Sequence, residues 1–186
     1  MKNLKIYALL VLLLMAGGVT MQAQTKIGFG LQKELFGVSL NPENDSEATF
    51  NVDKVDIAVL LNDHFRIGLG FQPGTLVNHQ EKRYETSAGL SLSLAYLFTF
   101  KDYKDFAMAP TLSVGNSFKD FTSFKNMDVD LGVRSYLFKS MYLGTGVRYA
   151  QWKNSDILDG HSCFSWYWEM GFDLYFNKRQ AIHPHN

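Results

Sequence analysis

Apolar and polar residues alternate without a break along the last long segment of this chain. Phe164, Trp166, Trp168, Met170, Phe172, Leu174 and Phe176 share one parity, and Ser165, Tyr167, Glu169, Gly171, Asp173 and Tyr175 share the other. A period of two sends successive side chains to opposite faces of a β-strand, and no helical period fits the run. The windows 27–31, 55–61, 65–71, 88–98, 106–114, 127–137 and 141–149 read in the same way. Several of these reach the roughly 9–11 residues that a tilted strand needs to cross a bilayer. Short connections around Asn62-Asp63-His64, Lys101 to Lys104 and Lys139-Ser140 alternate with longer polar ones near 38–53, 73–86, 115–125 and 150–162. An even strand count with short turns at one end and long loops at the other predicts an all-β fold. The expected architecture is a closed eight-stranded antiparallel up-and-down transmembrane β-barrel with both termini at the short-turn end.

Alternation alone does not say which face points inward. A soluble lipocalin-like binding barrel would turn its apolar face to the centre. Two arguments turn it to lipid instead. An eight-stranded barrel has an interior just wide enough for its own side chains, and Phe164, Trp166, Trp168, Phe172 and Phe176 from one strand would overfill it. The opposite parity is rich in Gly, Ala and Ser, and carries the charges Asp56, Arg66, Asp128, Asp130, Arg134, Arg148, Glu169 and Asp173, with Lys26 and Lys54 in parity. Charges survive in a closed, low-dielectric interior only when paired and hydrogen-bonded. These residues are therefore expected to form a compensated lumen network. The apolar parity holds no charged residue in any window, as a hydrocarbon-facing surface requires, since a Lys or Arg at the bilayer midplane costs ~2–4 kcal/mol.

The first 23 residues differ from the rest: Lys2 and Lys5 precede an apolar run from Ile6 to Ala16, and Ala23 is a small residue suited to cleavage before Gln24. Such a layout reads as a secretory signal peptide, because the run is too short to span. The expected organisation is residues 1–23 as signal peptide, 24–176 as barrel and 177–186 as a periplasmic tail. Removing the leader takes away two lysines and no acid from a chain balanced at 18 basic and 18 acidic residues. The mature chain is slightly acidic, which excludes the basic stripe of a nucleic-acid binder. Its one cysteine, Cys163, excludes an internal disulfide framework.

The eight alternating segments, the leader and the terminal run Glu169-Met170-Gly171-Phe172-Asp173-Leu174-Tyr175-Phe176 resemble the small outer-membrane barrels typified by outer membrane protein X and the membrane domain of outer membrane protein A. The resemblance covers 24–176. It implies an outer-membrane location, contact with outer-membrane lipid and lipopolysaccharide, and recognition of the final aromatic strand by the outer-membrane assembly machinery. The chain departs from that pattern where Phe176 is followed by Asn177 to Asn186, and at Pro110, which removes a ladder donor and is expected to sit at a bulge.

Catalytic, metal and cofactor signals are sparse. His161-Ser162-Cys163, near Asp156 and Asp159, is the densest cluster. Some barrels of this size are lipid A-modifying enzymes that place a His and a Ser at the outer rim, but adjacent strand residues point to opposite faces. His161 and Cys163 supply two metal ligands where a site needs more. The loop residues Phe118, Phe121 and Phe124, set among Lys119 and Lys125, are unusually aromatic for a solvated loop and read as a contact surface. The sequence thus points to a non-catalytic integral outer-membrane protein, structural or loop-mediated in its role.

Overall fold

A computed structural model of the chain describes residues 25–40, 48–79, 81–100, 102–118, 124–137, 140–158 and 160–176. The expected leader (1–23), the tail (177–186), Phe121 and the acidic residues Glu43, Asp45 and Glu47 lie outside the described residues.

The strands are β1 (Thr25–Ser39), β2 (Ala48–Val52), β3 (Lys54–Leu61), β4 (Phe65–Asn78), β5 (Arg83–Tyr96), β6 (Phe98–Phe100), β7 (Tyr103–Phe118), β8 (Phe124–Leu137), β9 (Met141–Trp152) and β10 (Ser162–Phe176). β2 runs on into β3, and β5 into β6, so they form eight staves. Every pairing is antiparallel between neighbouring staves, and β1 pairs with β10 to close the ring. The fold is an all-β, closed, eight-stranded up-and-down barrel.

Both interruptions have a proline opposite them. Asp53 separates β2 from β3 and donates its N–H to the Pro73 carbonyl at 3.0 Å. Leu97 separates β5 from β6 and faces the stretch of β7 that holds Pro110, donating instead to the His64 carbonyl at 2.7 Å. The bulge expected at Pro110 is absent. Ala95↔Thr111 and Phe98↔Met108 keep one register across the gap, and the ladder to β8 continues through Pro110↔Val133. The ladder accommodates the missing donor by a local break rather than by an inserted residue.

The short turn after β3 forms where expected. Asn62 and Asp63 both take positive φ, 52° and 59°, a conformation their short polar side chains tolerate. The connection expected over 73–86 is shorter, because β4 and β5 stay paired out to Asn78↔Arg83. Thr75, Val77, Tyr84 and Thr86 suit a pleated surface and extend the hairpin beyond the bilayer-length core. A true bulge does occur in β1, between Glu34 and Phe36, where Leu35 is the extra residue.

Outside, the barrel carries an apolar surface. Ile57, Leu69, Leu131, Met141, Leu143, Trp166, Trp168, Met170 and Leu174 are all exposed on the sheet's outer side. Inside lie Arg66, Arg148, Asp128, Asp130, Glu169 and Asp173, each at most 2% exposed. For a protein in water this would invert the usual distribution.

Candidate functional site

The lumen is packed in layers, each built by the inward parity of several strands. Nearest the short turns, Leu60, Ala95, Leu97, Ala107, Ala109, Tyr136 and Tyr142 form an apolar layer. Below it opens a vestibule of about 600 Å³, bordered by Lys26, Asp63, His64, Tyr136 and Tyr175 among others.

The first charged layer is centred on Arg66 of β4. Its guanidinium donates to both Asp56 oxygens (2.7 and 2.8 Å), to Asp173 (2.9 and 3.1 Å) and to Ser93 Oγ (3.0 Å). Tyr136 Oη donates to Asp173 at 2.7 Å. Gly30 makes the layer possible: a Cβ there would stand 2.7 Å from Arg66 and from Asp173. Above it, Arg134 of β8 donates to Glu169 (2.7 Å) and Gln32 (2.8 Å) and lies 4.4 Å over the Tyr142 ring.

A third layer is centred on Arg148 of β9. It donates to Asp130 (2.7 and 3.3 Å), to Glu34 (2.7 Å) and to the Phe50 carbonyl (2.7 Å), with its guanidinium 4.7 Å from the Tyr167 ring centre. Lys54 donates to Asp130 (2.8 Å) and Ser113 (2.9 Å). Among the described residues Asp128 accepts only the Gln72 amide, at 2.7 Å. Charge-assisted bonds of this geometry are the strong class of hydrogen bond, and several tie together strands that are not neighbours in the ring.

The eight charged residues expected in the lumen are thus brought together in three linked layers, but not in balance. Lys26 is engaged elsewhere, pairing with Asp63 at the turn end. Glu34 joins the interior instead. The inward acids are then Glu34, Asp56, Asp128, Asp130, Glu169 and Asp173, and the inward bases Lys54, Arg66, Arg134 and Arg148. Glu34, Gln32 and Gln72 continue the parity of Gly28, Gly30, Gly68 and Gly70, so extending the alternation past the read windows would have found them.

An apolar cap closes the long-loop end. Ala48, Phe50, Val52, Leu76, Ala150, Trp152, Leu158 and Cys163 pack as one buried cluster, with Phe50 and Trp152 edge to face at 4.9 Å. The segments that supply it read from sequence as loops. Asp53 fixes β2 against β1 by accepting from Lys33 Nζ (2.6 Å) and the Glu34 amide (3.2 Å), and Glu34 accepts the Val52 amide at 2.9 Å.

Of the expected contact aromatics, Phe118 and Phe124 pack at 5.6 Å at the end of the β7–β8 hairpin, and Phe124 is exposed. The His161-Ser162-Cys163 cluster does not converge on one surface. His161 is exposed, whereas the Cys163 thiol is buried in the cap and donates to the Ala48 carbonyl at 3.3 Å. Among the described residues no group of three or more His, Cys, Asp or Glu is arranged to hold a metal.

No family model matches the sequence, and no curated protein matches it. Solved structures similar to the chain include the N-terminal β-barrel domain of Pseudomonas aeruginosa OprF, at 11% identity and a TM-score of 0.44, covering 82% of this chain and 100% of that one. Neisserial surface protein A matches at 13% identity and a TM-score of 0.39, over 82% and 96%. The outer membrane protein OprG from Pseudomonas aeruginosa matches at 11% and 0.33, over 81% and 94%.

Proposed function

We propose that this chain is an integral outer-membrane protein, non-catalytic, whose barrel is a filled scaffold for the loops at its long-loop end. The reading is carried by one observation, an outer face that is apolar over most of its area, with the Lys33–Asp53 pair on it, around a charged and hydrogen-bonded interior. Water would leave that outer surface unsatisfied, and hydrocarbon would not. A closed ring leaves no strand edge unpaired around most of its circumference, which is the condition for a sheet to sit in lipid. The layered lumen and its apolar cap favour a plugged barrel over a solute channel.

Residues 1–23 act in this reading as the export signal, the final strand ending at Phe176 engages the assembly machinery, and the outer belt meets outer-membrane lipid and lipopolysaccharide. Phe118, Phe121 and Phe124 form the contact surface for lipopolysaccharide or an extracellular partner. Support for this comes from the aromatic pair at the hairpin end, Phe118 half-buried and Phe124 exposed, next to Lys125.

The test is fractionation with gel mobility. The mature protein is expected in the outer-membrane fraction, resistant to alkaline carbonate, and faster on a detergent gel unheated than boiled. Release by carbonate, together with one mobility under both conditions, would count decisively against membrane insertion.

A further inference from the structure

On β1 the outward row runs Ile27, Phe29, Leu31, Lys33 and then, past the bulge, Phe36 and Val38. Lys33 thus interrupts a lipid-facing row, with apolar residues on both sides of it along the strand. Its ladder partner on β10 is Met170, which is itself exposed in an unbroken apolar row. Lys33 Nζ donates to Asp53 Oδ2 at 2.6 Å, and the two side chains are 68% and 37% exposed. Ionisable residues within hydrocarbon are rare, and as a rule they face protein or a water-filled cavity rather than lipid tails. An exposed ion pair inside the belt therefore calls for a cover.

The wall is incompletely laddered at the same place. β1 pairs with β3 from Thr25↔Leu61 to Gln32↔Lys54 and no further. β2, which continues that stave beyond Asp53, pairs with β4 alone. Among the described residues, β1 from Lys33 to Ser39 therefore has a ladder on its β10 side and none on its β2 side. Side chains bridge part of this seam: the Glu34 amide donates to Asp53 Oδ1 at 3.2 Å, and the Val52 amide to Glu34 Oε2 at 2.9 Å. Leu35, the extra residue of the bulge, is exposed beside it. Lipid cannot satisfy backbone groups left over at a seam, so the open ladder and the ion pair ask for the same thing, protein packed against this face.

Charge and symmetry decide which protein. Lys33 and Asp53 lie side by side, one step past the last rung Gln32↔Lys54, and are opposite in sign. A two-fold axis along the membrane normal, passing between them, sets Lys33 of each copy against Asp53 of the other at one depth, as a self-complementary patch requires. The four charges then alternate in sign around a ring, and each ammonium has two carboxylate neighbours. Among the described residues Lys33 Nζ bonds only Asp53, which leaves donors for the second carboxylate. A partner carrying charge of one sign would be repelled by one member of the pair.

We propose that the outer face around Lys33 and Asp53 is an interface with a second copy of this chain, closed in the membrane by reciprocal Lys33–Asp53 pairs. The exposed side chains of Leu35, Phe36 and Val38 flank the charges and pack against the other copy, which shields the β1–β2 seam of both barrels from lipid. This rests on the outer-membrane reading, since only hydrocarbon makes an exposed pair and an open ladder costly.

The test uses the full mature chain folded in lipid vesicles as a mixture of copies carrying a donor or an acceptor dye at the amino terminus. Energy transfer between copies is followed as the protein is diluted tenfold in lipid, with the heat-dependent gel shift and carbonate resistance as separate checks that the barrel is folded and inserted. Wild type is expected to keep its transfer on dilution. Lys33→Asp alone and Asp53→Lys alone, which set like charges against each other across the axis, should fall to the transfer of unassociated copies. Mixing Lys33→Asp donors with Asp53→Lys acceptors should restore it, because each chain then supplies the sign that the other lacks. Should a reversed variant fail to fold, Lys33→Met keeps much of the stem, removes the charge and should weaken association at least tenfold. Wild-type transfer that falls with dilution in an inserted, heat-modifiable barrel would overturn the dimer and leave the outer-membrane reading standing. Folded reversed variants that fail to pair when mixed, or Lys33→Met copies that associate as wild type does, would overturn it too. A chain released by carbonate would remove both.

Discussion

Arg148→Met tests whether the lumen charges hold the barrel together. The wild-type guanidinium is fully buried and donates to Asp130, Glu34 and the Phe50 carbonyl, spanning β8, β1 and the cap strand β2. Methionine keeps much of the side-chain volume and removes every donor. Asp130 retains Lys54, but among the described residues Glu34 is left with only the Val52 amide. Removing one partner of a buried pair costs ~3–5 kcal/mol, chiefly because the other charge is stranded. That is a large share of the ~5–15 kcal/mol by which folded domains are stable. The assay is urea unfolding in lipid vesicles, read by tryptophan fluorescence. Because the cost is assigned to the orphaned Glu34, adding Glu34→Gln should recover more than half of it, a non-additivity that a double-mutant cycle measures. A loss below ~1 kcal/mol for Arg148→Met, the scale of an exposed ion pair, would refute the reasoning. No relief from Glu34→Gln would refute it as well.

Three further outcomes follow from the same geometry. Leu131→Arg, on the exposed face of β8, should destabilise the barrel in vesicles by ~2–4 kcal/mol, whereas Tyr84→Arg, near the tip of the β4–β5 hairpin, should cost no more than ~1 kcal/mol; equal costs would remove the depth dependence. Cys163, 1% exposed within the cap, should react with a water-soluble maleimide only after unfolding, and rapid labelling of the folded protein would show that the cap is open. Serine at Phe118, Phe121 and Phe124 should abolish retention on immobilised lipopolysaccharide while leaving the heat-dependent gel shift intact; unchanged retention would remove that surface from the function.

Much of the barrel was legible because its two faces differ so sharply in chemistry. Along β10, every second residue from Phe164 to Phe176 is bulky and apolar, and a sheet with one uniform face has a strongly specified register. Arg66, Asp56 and Asp173 could be assigned inward by parity alone. What parity could not reveal was where it changes. The bulge at Leu35 resets β1, so that Leu35 and Phe36 are both exposed, and such a reset depends on how β1 parts from β2 rather than on local composition. The cap was hidden for a related reason. Ala48, Phe50 and Val52 have the right period but sit between an acidic stretch and Asp53, and Trp152, Leu158 and Cys163 are scattered along a polar connection. Their common burial is a tertiary fact. Pairing choice within the lumen was likewise beyond parity, which places Lys26 and Lys54 alike although only Lys54 reaches Asp130.

Orientation of the two faces is tested most directly by its tryptophans, three in all. Trp166 and Trp168 are exposed on the outer face, and Trp152 is buried in the cap. Variants retaining one tryptophan each, refolded in vesicles with brominated acyl chains, separate the two environments by fluorescence quenching. The expected result is strong quenching of Trp166 and Trp168 with Trp152 nearly unaffected. Protection of Trp166 and Trp168 from the brominated chains, with or without quenching of Trp152, would contradict an apolar face turned to lipid.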